Sequence, residues 1–219
     1  MRERAPRLIG ALVVLLLALP LGYLVHVSPR FPGSLEGSLI GIAGALLLLA
    51  ALAYPVVKRV PWIHDRVTPA VSLPTLLTLH IYAGVLGPIL GVIHSAHKFS
   101  SPLGVALVAA MLVVVLSGYV GRFYLGRVAK GVRGRSSELA ALQAKFLNAS
   151  NLGDDAAGDV ARGDAALAIA DTEYAVRAEQ AAQRLLQRWL ILHILVGVLV
   201  YVLLMLHIWA GLYFGLRWL

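Results

Sequence analysis

The chain has 219 residues, of which 59% are hydrophobic and 14% are charged, and its formal net charge is +8. A soluble domain is about half apolar and a quarter charged, so this chain is unusually apolar. Its apolar residues lie in long runs that take up most of the chain, which predicts a single membrane domain without a separate catalytic domain. The basic residues flank the apolar runs, so we interpret them as topology signals and as contacts with membrane lipid. This position gives no support for a nucleic-acid partner. The absence of cysteine excludes disulfides, cysteine-ligated iron–sulfur clusters and c-type haem.

Five apolar runs are long enough to cross a bilayer as helices, which takes about 20 residues each. They predict an all-α fold, an integral membrane helical bundle of about five transmembrane helices. The predicted spans are residues 8–27, 36–57, 75–97, 102–125 and 188–216. The first run follows a basic start, as in a signal peptide. Its length and the lack of an Ala-x-Ala site favour a retained span.

Lys and Arg cluster before span one, after span two and after span four. Cytoplasmic flanks of membrane spans carry an excess of these residues. All three clusters lie on one side of the membrane if the N-terminus is cytoplasmic. The pattern therefore predicts a multi-pass protein of the bacterial inner (cytoplasmic) membrane, with its N-terminus in the cytoplasm and its C-terminus outside.

Residues 126–187 form a polar segment that we predict to be a cytoplasmic helical extension. Ser136–Leu147 has the composition of a short helix, and Asn148–Asp164 has that of a turn. From Ala165 a helical pattern runs into span five without an intervening Pro or Gly. This predicts a helical hairpin, which is either a solvated connector or a docking surface for a partner subunit.

Two pairs of histidines lie within spans, where polar residues are costly and are candidates for function. His80 and His94 in span three are 14 residues apart (94 − 80), and so are His193 and His207 in span five (207 − 193). Fourteen helical residues place the second side chain about 40° around from the first and about 21 Å further along the axis. Spans three and five are parallel because one span separates them. The pairs His80 with His193 and His94 with His207 are therefore predicted to hold the irons of two haem b groups.

Two imidazole ligands for each iron suit electron transfer, because they leave no coordination position open to oxygen or substrate. The alternative for any single membrane histidine is a hydrogen bond between helices or a step in a proton relay. The equal spacing of two pairs on parallel helices is what favours haem.

Glycines accompany the histidines. Gly84, Gly197 and Gly211 each follow a proposed ligand by four residues, and Gly104 and Gly118 in span four are also 14 residues apart. A flat porphyrin needs small residues where it lies against a helix, so all five are predicted to line the haem sites. Each glycine taken alone is common at helix contacts in membranes.

Further candidates lie at the span ends. His97 could replace His94 as a ligand, contact a haem propionate or a quinone, or belong to a helix interface. Arg122 could pair with a propionate of the inner haem or act as a topology signal in the cytoplasmic flank. His26 and His64 lie in flanking segments, and the sequence assigns them no role.

The sequence contains LHIYAGVLGPILGVIHSAHKF and SGYVGRFYL in spans three and four, and WLILHILVGVLVYVLLMLHIWAG in span five. These stretches resemble small bacterial membrane cytochromes b. The paired His-x13-His motifs are similar to the haem-bearing helices of cytochrome b in cytochrome bc complexes and of ferric reductases and NADPH oxidases. The resemblance implies His80, His94, His193 and His207 as axial ligands. The Pro-Glu-Trp-Tyr motif and a flavin or nicotinamide domain are not found, so quinol bifurcation and NADPH oxidation are not implied.

The predicted function is transmembrane electron transfer as the membrane subunit of a larger redox complex. An outer-face partner, either a c-type cytochrome or an iron–sulfur protein, would exchange electrons with a quinone or a cytoplasmic acceptor. Whether the chain is itself an enzyme is left open. One alternative is a stand-alone reductase of quinone or metal ions. The other is a haem-free transporter or assembly factor whose histidines relay protons.

Overall fold

The computed structural model describes residues 4–28, 30–97, 101–125, 139–144, 147 and 156–216. Every element in this described part is helical, as the apolar periodicity predicts. Two compact units divide the chain. One comprises Met1–Tyr119 with His193–Leu219, and the other comprises Val120–Leu192. The first unit contains all four predicted haem ligands.

Seven α-helices with defined bounds follow one another along the described chain, besides the helical residues 139–144 and 147. In order they are α1 (Arg4–Ala18), α2 (Leu35–Ala51), α3 (Ala53–Arg59), α4 (Pro61–Val67), α5 (Leu73–Ser95), α6 (Pro102–Val120) and α7 (Ala156–Leu216). Two 3₁₀ segments, Leu19–Leu24 and Phe31–Gly33, lie between α1 and α2, and a π-helical turn, Gly121–Leu125, follows α6.

Four apolar helical stretches are long enough to cross a membrane: Leu35–Arg59, Leu73–Ser95, Pro102–Phe123 and Gln183–Phe214. They correspond to predicted spans two to five, so the chain is all-α with the helices of a multi-pass membrane protein. The first predicted span, 8–27, overlaps a shorter apolar helix, Pro6–Gly22. Proline lacks a backbone N–H and disrupts an α-helix, and here Pro20 lies where α1 gives way to the 3₁₀ segment.

The ends of α5 are fixed by its own residues. Ser72 precedes the helix in an extended conformation, and its hydroxyl accepts a hydrogen bond from the Thr75 amide at 3.3 Å. At the other end Ala96 takes a left-handed conformation, with φ of 42°, and stops the helix. Pro88 lies inside α5, as membrane helices allow. His80 and His94 are thus carried on one continuous helix.

The extension differs from its prediction in one part. Helix α7 begins at Ala156 and not at Ala165, so the predicted turn is wrong over residues 156–164. Three of these nine residues are alanines and four more alanines follow at residues 165–170, and their high helix propensity outweighs the cost of Gly158 and Gly163. Residues 139–144 and 147 of the predicted short helix are helical, and the remainder of 126–155 lies outside the described residues.

Helices α2 and α5 pack closely and antiparallel around a glycine crossing. A Cβ on Gly44 would lie 3.1 Å from the carbonyl oxygen of Gly87, and a Cβ on Gly87 would lie 3.1 Å from that of Gly44. Backbones approach this closely in membrane bundles only where side chains are small. The crossing brings both ends of α2 beside the histidines of α5.

Candidate functional site

Two pairs of imidazole rings lie between α5 and α7. The ring centroids of His80 and His193 are 6.4 Å apart with the ring planes at 77°. Those of His94 and His207 are also 6.4 Å apart, with the planes at 85°. These are the two pairs that the spacing predicts to share an iron. Because equal steps along both helices preserve the pairing, α5 and the His193–His207 part of α7 run in the same direction.

The separation of the rings discriminates between two kinds of contact. A direct N–H···N hydrogen bond of about 2.9 Å would bring the ring centroids to about 5.2 Å. A metal ion with two imidazoles on opposite sides, at about 2.0 Å from each nitrogen, sets the centroids about 6.3 Å apart. The observed 6.4 Å matches the metal-bridged arrangement in both pairs.

His80 is oriented by a carbonyl at the end of α2. Its Nδ1 lies 2.7 Å from the Ala51 carbonyl oxygen. In an uninterrupted helix that oxygen would accept the amide of residue 55, but Pro55 has no N–H to donate. The proline therefore leaves an acceptor at the position that the His80 ring can reach.

His94 is oriented at the opposite end of α2. Its Nδ1 lies 2.7 Å from the Gly37 carbonyl oxygen. Access to this oxygen depends on Gly41, one turn further along, since a Cβ there would lie 2.8 Å from His94 Nδ1. Any side chain at position 41 would push the ring away from its acceptor.

His193 is oriented by α6. Its Nδ1 lies 2.7 Å from the hydroxyl oxygen of Ser117, which is only 3% exposed. The Ser117 hydroxyl donates its proton to the Val114 carbonyl at 2.8 Å, so His193 Nδ1–H donates to Ser117. Gly118 makes room for this ring, because a Cβ there would lie 3.1 Å from His193 Cε1.

These hydrogen bonds determine which ring nitrogen is available. A carbonyl oxygen can only accept, so His80 and His94 carry their proton on Nδ1 and present the lone pair of Nε2. The Ser117 chain has the same effect on His193. Metal-ligating histidines are typically held in this way, with the second nitrogen donating to a carbonyl or other acceptor. The rings of His80 and His193 thus present two acceptor nitrogens, which a cation between them would satisfy.

The remaining predicted glycines differ in their surroundings. A Cβ on Gly84 or Gly211 would meet nothing within 4 Å, and one on Gly197 would meet only Val114 Cγ2 at 3.9 Å. Their helix faces thus have room beside the paired histidines. Gly104 instead lies near the start of α6, with its amide on the Ser101 hydroxyl at 3.3 Å. Arg122 lies in the second unit, in the π-helical turn, with an exposed side chain.

His97 lies beside a residue to which the sequence assigns no role. Its ring centroid is 6.4 Å from that of His26, with the planes at 79°. Both residues lie at the ends of predicted spans that run in the same direction. That shared position is the sequence signal that could have predicted their proximity. His64, in α4, accepts a hydrogen bond from Thr68 Oγ1 through its backbone carbonyl.

The contribution of α2 is the main feature that the sequence reasoning missed. Gly37, Gly44 and Ala51 are seven residues apart, and the three residues of α5 that they meet, His94, Gly87 and His80, have the same spacing. A run of small residues at this interval was the available signal. Helix α7 also contacts α2 one turn after Gly44, where the Tyr201 hydroxyl donates a hydrogen bond to the Leu48 carbonyl at 2.7 Å.

Comparisons with protein-family models, with curated proteins and with solved structures find no match to this chain. Within the described ranges no group of three or more His, Cys, Asp or Glu side chains could hold a metal ion. The candidate site in the described residues therefore consists of two opposed histidine pairs, with two candidate ligands in each.

Proposed function

We propose that the chain transfers electrons across a membrane by means of two haem b groups, one held by His80 and His193 and the other by His94 and His207. The observation that carries the proposal is the pair of 6.4 Å ring separations, 14 residues apart on two co-directional helices. Haem iron with two axial imidazoles supplies a one-electron couple without an open coordination position.

A porphyrin fits this donor set better than a bare ion does. Two imidazoles on opposite sides of a metal leave the positions around its equator to be filled. In the described residues no third or fourth protein ligand is grouped with the histidines. A macrocycle brings its own four nitrogens. The faces of Gly84, Gly197 and Gly211, where a Cβ meets almost nothing, provide room for a flat ring.

The residues of the chain have three tasks in this function. The four imidazoles hold the irons in line, about 21 Å apart along the helices, which covers much of a hydrocarbon core of about 30 Å. The carbonyls of Ala51 and Gly37 and the Ser117 hydroxyl fix the ring tautomers and raise the basicity of the ligands. The surrounding apolar helices exclude water and so set the potentials.

We further propose five crossings, with the N-terminus in the cytoplasm of a bacterium and the C-terminus outside. Helix α1 contributes 15 residues and the 3₁₀ segment six more. At rises of about 1.5 and 2.0 Å per residue, the part from Leu8 to Leu24, which follows the basic flank, extends over about 29 Å, close to the bilayer core of about 30 Å. The distribution of Lys and Arg supports this orientation.

The electron partners follow from the ends of this path. A c-type cytochrome or an iron–sulfur protein would exchange electrons at the His94 end, and a quinone or cytoplasmic acceptor at the His80 end. Histidines that relay protons directly would need donor and acceptor nitrogens within hydrogen-bond reach. The separation of 6.4 Å between ring centroids in each pair is too long for a direct hydrogen bond, so a relay would need a bridging water molecule.

The test is a haem count on the purified full chain, by pyridine haemochrome, for wild type and histidine variants. His80→Ala and His193→Ala should each remove one haem, and the double variant should also remove only one, because both residues hold the same iron. His94→Ala and His207→Ala should behave alike at the other site. A variant combining His80→Ala with His94→Ala should remove two.

His64→Ala is the matched control, since that histidine belongs to neither pair and should leave the count unchanged. A purified chain whose reduced spectrum has no b-type α band would overturn the proposal. Loss of two haems from the His80→Ala, His193→Ala double variant would refute the pairing.

A further inference from the structure

We propose that His26 and His97 hold a third haem b at the His94 end of the bundle. The inference rests on the proposed function, because it reads this pair by the same geometry. The rings are 6.4 Å apart at 79°, against 6.4 Å at 77° and 6.4 Å at 85° for the two pairs between α5 and α7. Three pairs thus share the separation expected for imidazoles on opposite sides of one metal ion, about 6.3 Å.

His97 has a ligand nitrogen available. Its Nε2 lies 2.8 Å from the Leu19 carbonyl oxygen, which can only accept, so the proton is on Nε2 and the lone pair is on Nδ1. Nδ1 is buried and has no hydrogen-bond partner. Burying a polar atom without a partner is costly, and a metal ion removes that cost. A carbonyl holding the opposite nitrogen is the same support that His80 and His94 receive from α2.

The backbone is shaped around this ring. A Cβ on Gly22 would lie 2.6 Å from His97 Nε2, so the ring can reach the Leu19 carbonyl only because position 22 is glycine. His97 itself has a left-handed conformation with φ of 61°, directly after Ala96 with φ of 42°. Such conformations are strained in residues other than glycine and tend to occur at functional sites. The Ser28 amide, which donates to the Ala96 carbonyl at 3.1 Å, helps to hold this turn.

The surroundings of His26 suit a porphyrin better than a bare ion. Its side chain is exposed, and the preceding residues Leu24 and Val25 are 79% and 88% exposed. Apolar side chains beside an exposed ligand can pack against the flat face of a macrocycle. In the described part of the chain no further His, Cys, Asp or Glu joins this pair into a group of three. The equatorial ligands would therefore have to come from the porphyrin.

The position of the pair suggests its role. His97 follows His94 by three residues, so this site adjoins the His94/His207 pair on the side away from His80. A third haem there would bring the electron path to the surface of the bundle, where an exposed ligand such as His26 can meet a soluble redox partner. The two sites inside the bundle would then need no direct contact with that partner.

The experiment is a haem and metal count on the full chain, with haem measured by pyridine haemochrome and iron, copper and zinc by mass spectrometry. We expect three haems per wild-type chain, two for His26→Ala, two for His97→Ala, and two for the double variant. A variant lacking both His80 and His94 should retain one haem. His64→Ala is the control for removing an unrelated histidine and should retain three.

His26 is exposed, so His26→Ala tests the site without loss of buried packing even if His97→Ala fails to fold. Two haems in wild type and in His26→Ala would overturn this inference and leave the proposed function intact. One copper or zinc ion per chain that His26→Ala removes, with the haem count unchanged at two, would also overturn it. A chain without haem would instead refute the proposed function itself.

Discussion

Pro55 affects the candidate site because proline has no amide hydrogen. Without an amide hydrogen at position 55, the Ala51 carbonyl has no helical partner, and His80 Nδ1–H takes its place at 2.7 Å. Gly41 acts through a missing Cβ, which leaves the Gly37 carbonyl open to His94. In both cases the backbone of α2 provides the hydrogen bond, and the side-chain choice determines only whether a histidine can reach it.

Ser117 offers the cleanest single-residue test, because its hydroxyl is the acceptor for His193 Nδ1–H. In the proposed haem site, that hydrogen bond would make the imidazole a stronger electron donor and would stabilise ferric iron. Ser117→Ala should therefore raise the midpoint potential of the His80/His193 haem by about 20–60 mV. A redox titration followed at the α band measures the shift.

Ser117→Thr retains a hydroxyl and should restore the wild-type potential. Thr78→Val removes a hydroxyl that bonds only to Pro74 within α5, and should leave both potentials unchanged. A Ser117→Ala potential equal to that of wild type would show that the hydroxyl does not act on the ligand.

At the residue scale, the sequence was sufficient for the histidines that lie on regular helices. Fourteen residues of uninterrupted helix fix both the angle and the rise between two side chains, so the matching of His80 to His193 follows from arithmetic. The same arithmetic fails for His97, because Ala96 and His97 have left-handed backbones that end the helix. His26 was missed for a related reason, since it follows a 3₁₀ segment whose geometry the periodicity did not predict.

At the element scale, the antiparallel packing of α2 against α5 connects the two sites. The helices are closest at Gly44 and Gly87, and the acceptors for His80 and His94 lie seven residues to either side of that crossing on α2. A substitution at the Gly44–Gly87 crossing should therefore affect both histidine sites. A change at one end should remain local.

Gly87→Val tests whether a change at the crossing affects both sites. A Cβ at position 87 would already lie 2.9 Å from Leu48 Cγ and 3.1 Å from the Gly44 carbonyl, so a valine must separate the helices. We expect a loss of stability of about 1–3 kcal/mol and weakened binding at both haem sites. Thermal unfolding in detergent, followed by the haem absorbance, measures both effects.

Gly41→Ala is the matched local variant, because its Cβ would lie 2.8 Å from His94 Nδ1 and its three nearest contacts are all atoms of the His94 ring. It should lower the occupancy of the His94/His207 site alone. Gly163→Ala, where a Cβ meets nothing within 4 Å, controls for adding a methyl group to a helix. Equal losses at both sites in Gly41→Ala would contradict the local role of that glycine.

Sequence patterns were sufficient for the long apolar helices and weaker for their surroundings. The four long apolar stretches were predicted because about 20 apolar residues have few other structures available to them. The start of α7 was misplaced because Gly158 and Gly163 were read as a turn, whereas the flanking alanines carry the helix through. The role of α2 depends on backbone carbonyls, so its trace in the sequence is indirect, namely the seven-residue interval of Gly37, Gly44 and Ala51.

At the scale of the whole molecule, the number of crossings determines which face the N-terminus occupies. With five crossings the N-terminus is cytoplasmic and the C-terminus is outside, whereas four crossings would place both outside. Green fluorescent protein fused to the N-terminus should therefore fluoresce, and alkaline phosphatase fused to the C-terminus should be active. A phosphatase depends on disulfides that form only outside the cytoplasm.

A second fluorescent fusion after residue 147, within the predicted cytoplasmic extension, serves as the control and should be bright in either case. A dark N-terminal fusion beside a bright internal one would reduce the number of crossings to four. The orientation of the proposed electron path would be unaffected, because that path depends on α5 and α7.

The regular contacts along α2 and α5 have a consequence for polarity. The contacts of this helix pair recur at equal intervals on either side of its midpoint, and equal spacing cannot by itself favour one direction of flow. The two ends differ in their neighbours. At one end are Ser117 and Tyr54, whose ring is 5.6 Å from that of His80. At the other end is the His26/His97 turn. Vectorial behaviour in this protein would then be a property of its periphery, which could be redesigned while the central helix pair is left untouched.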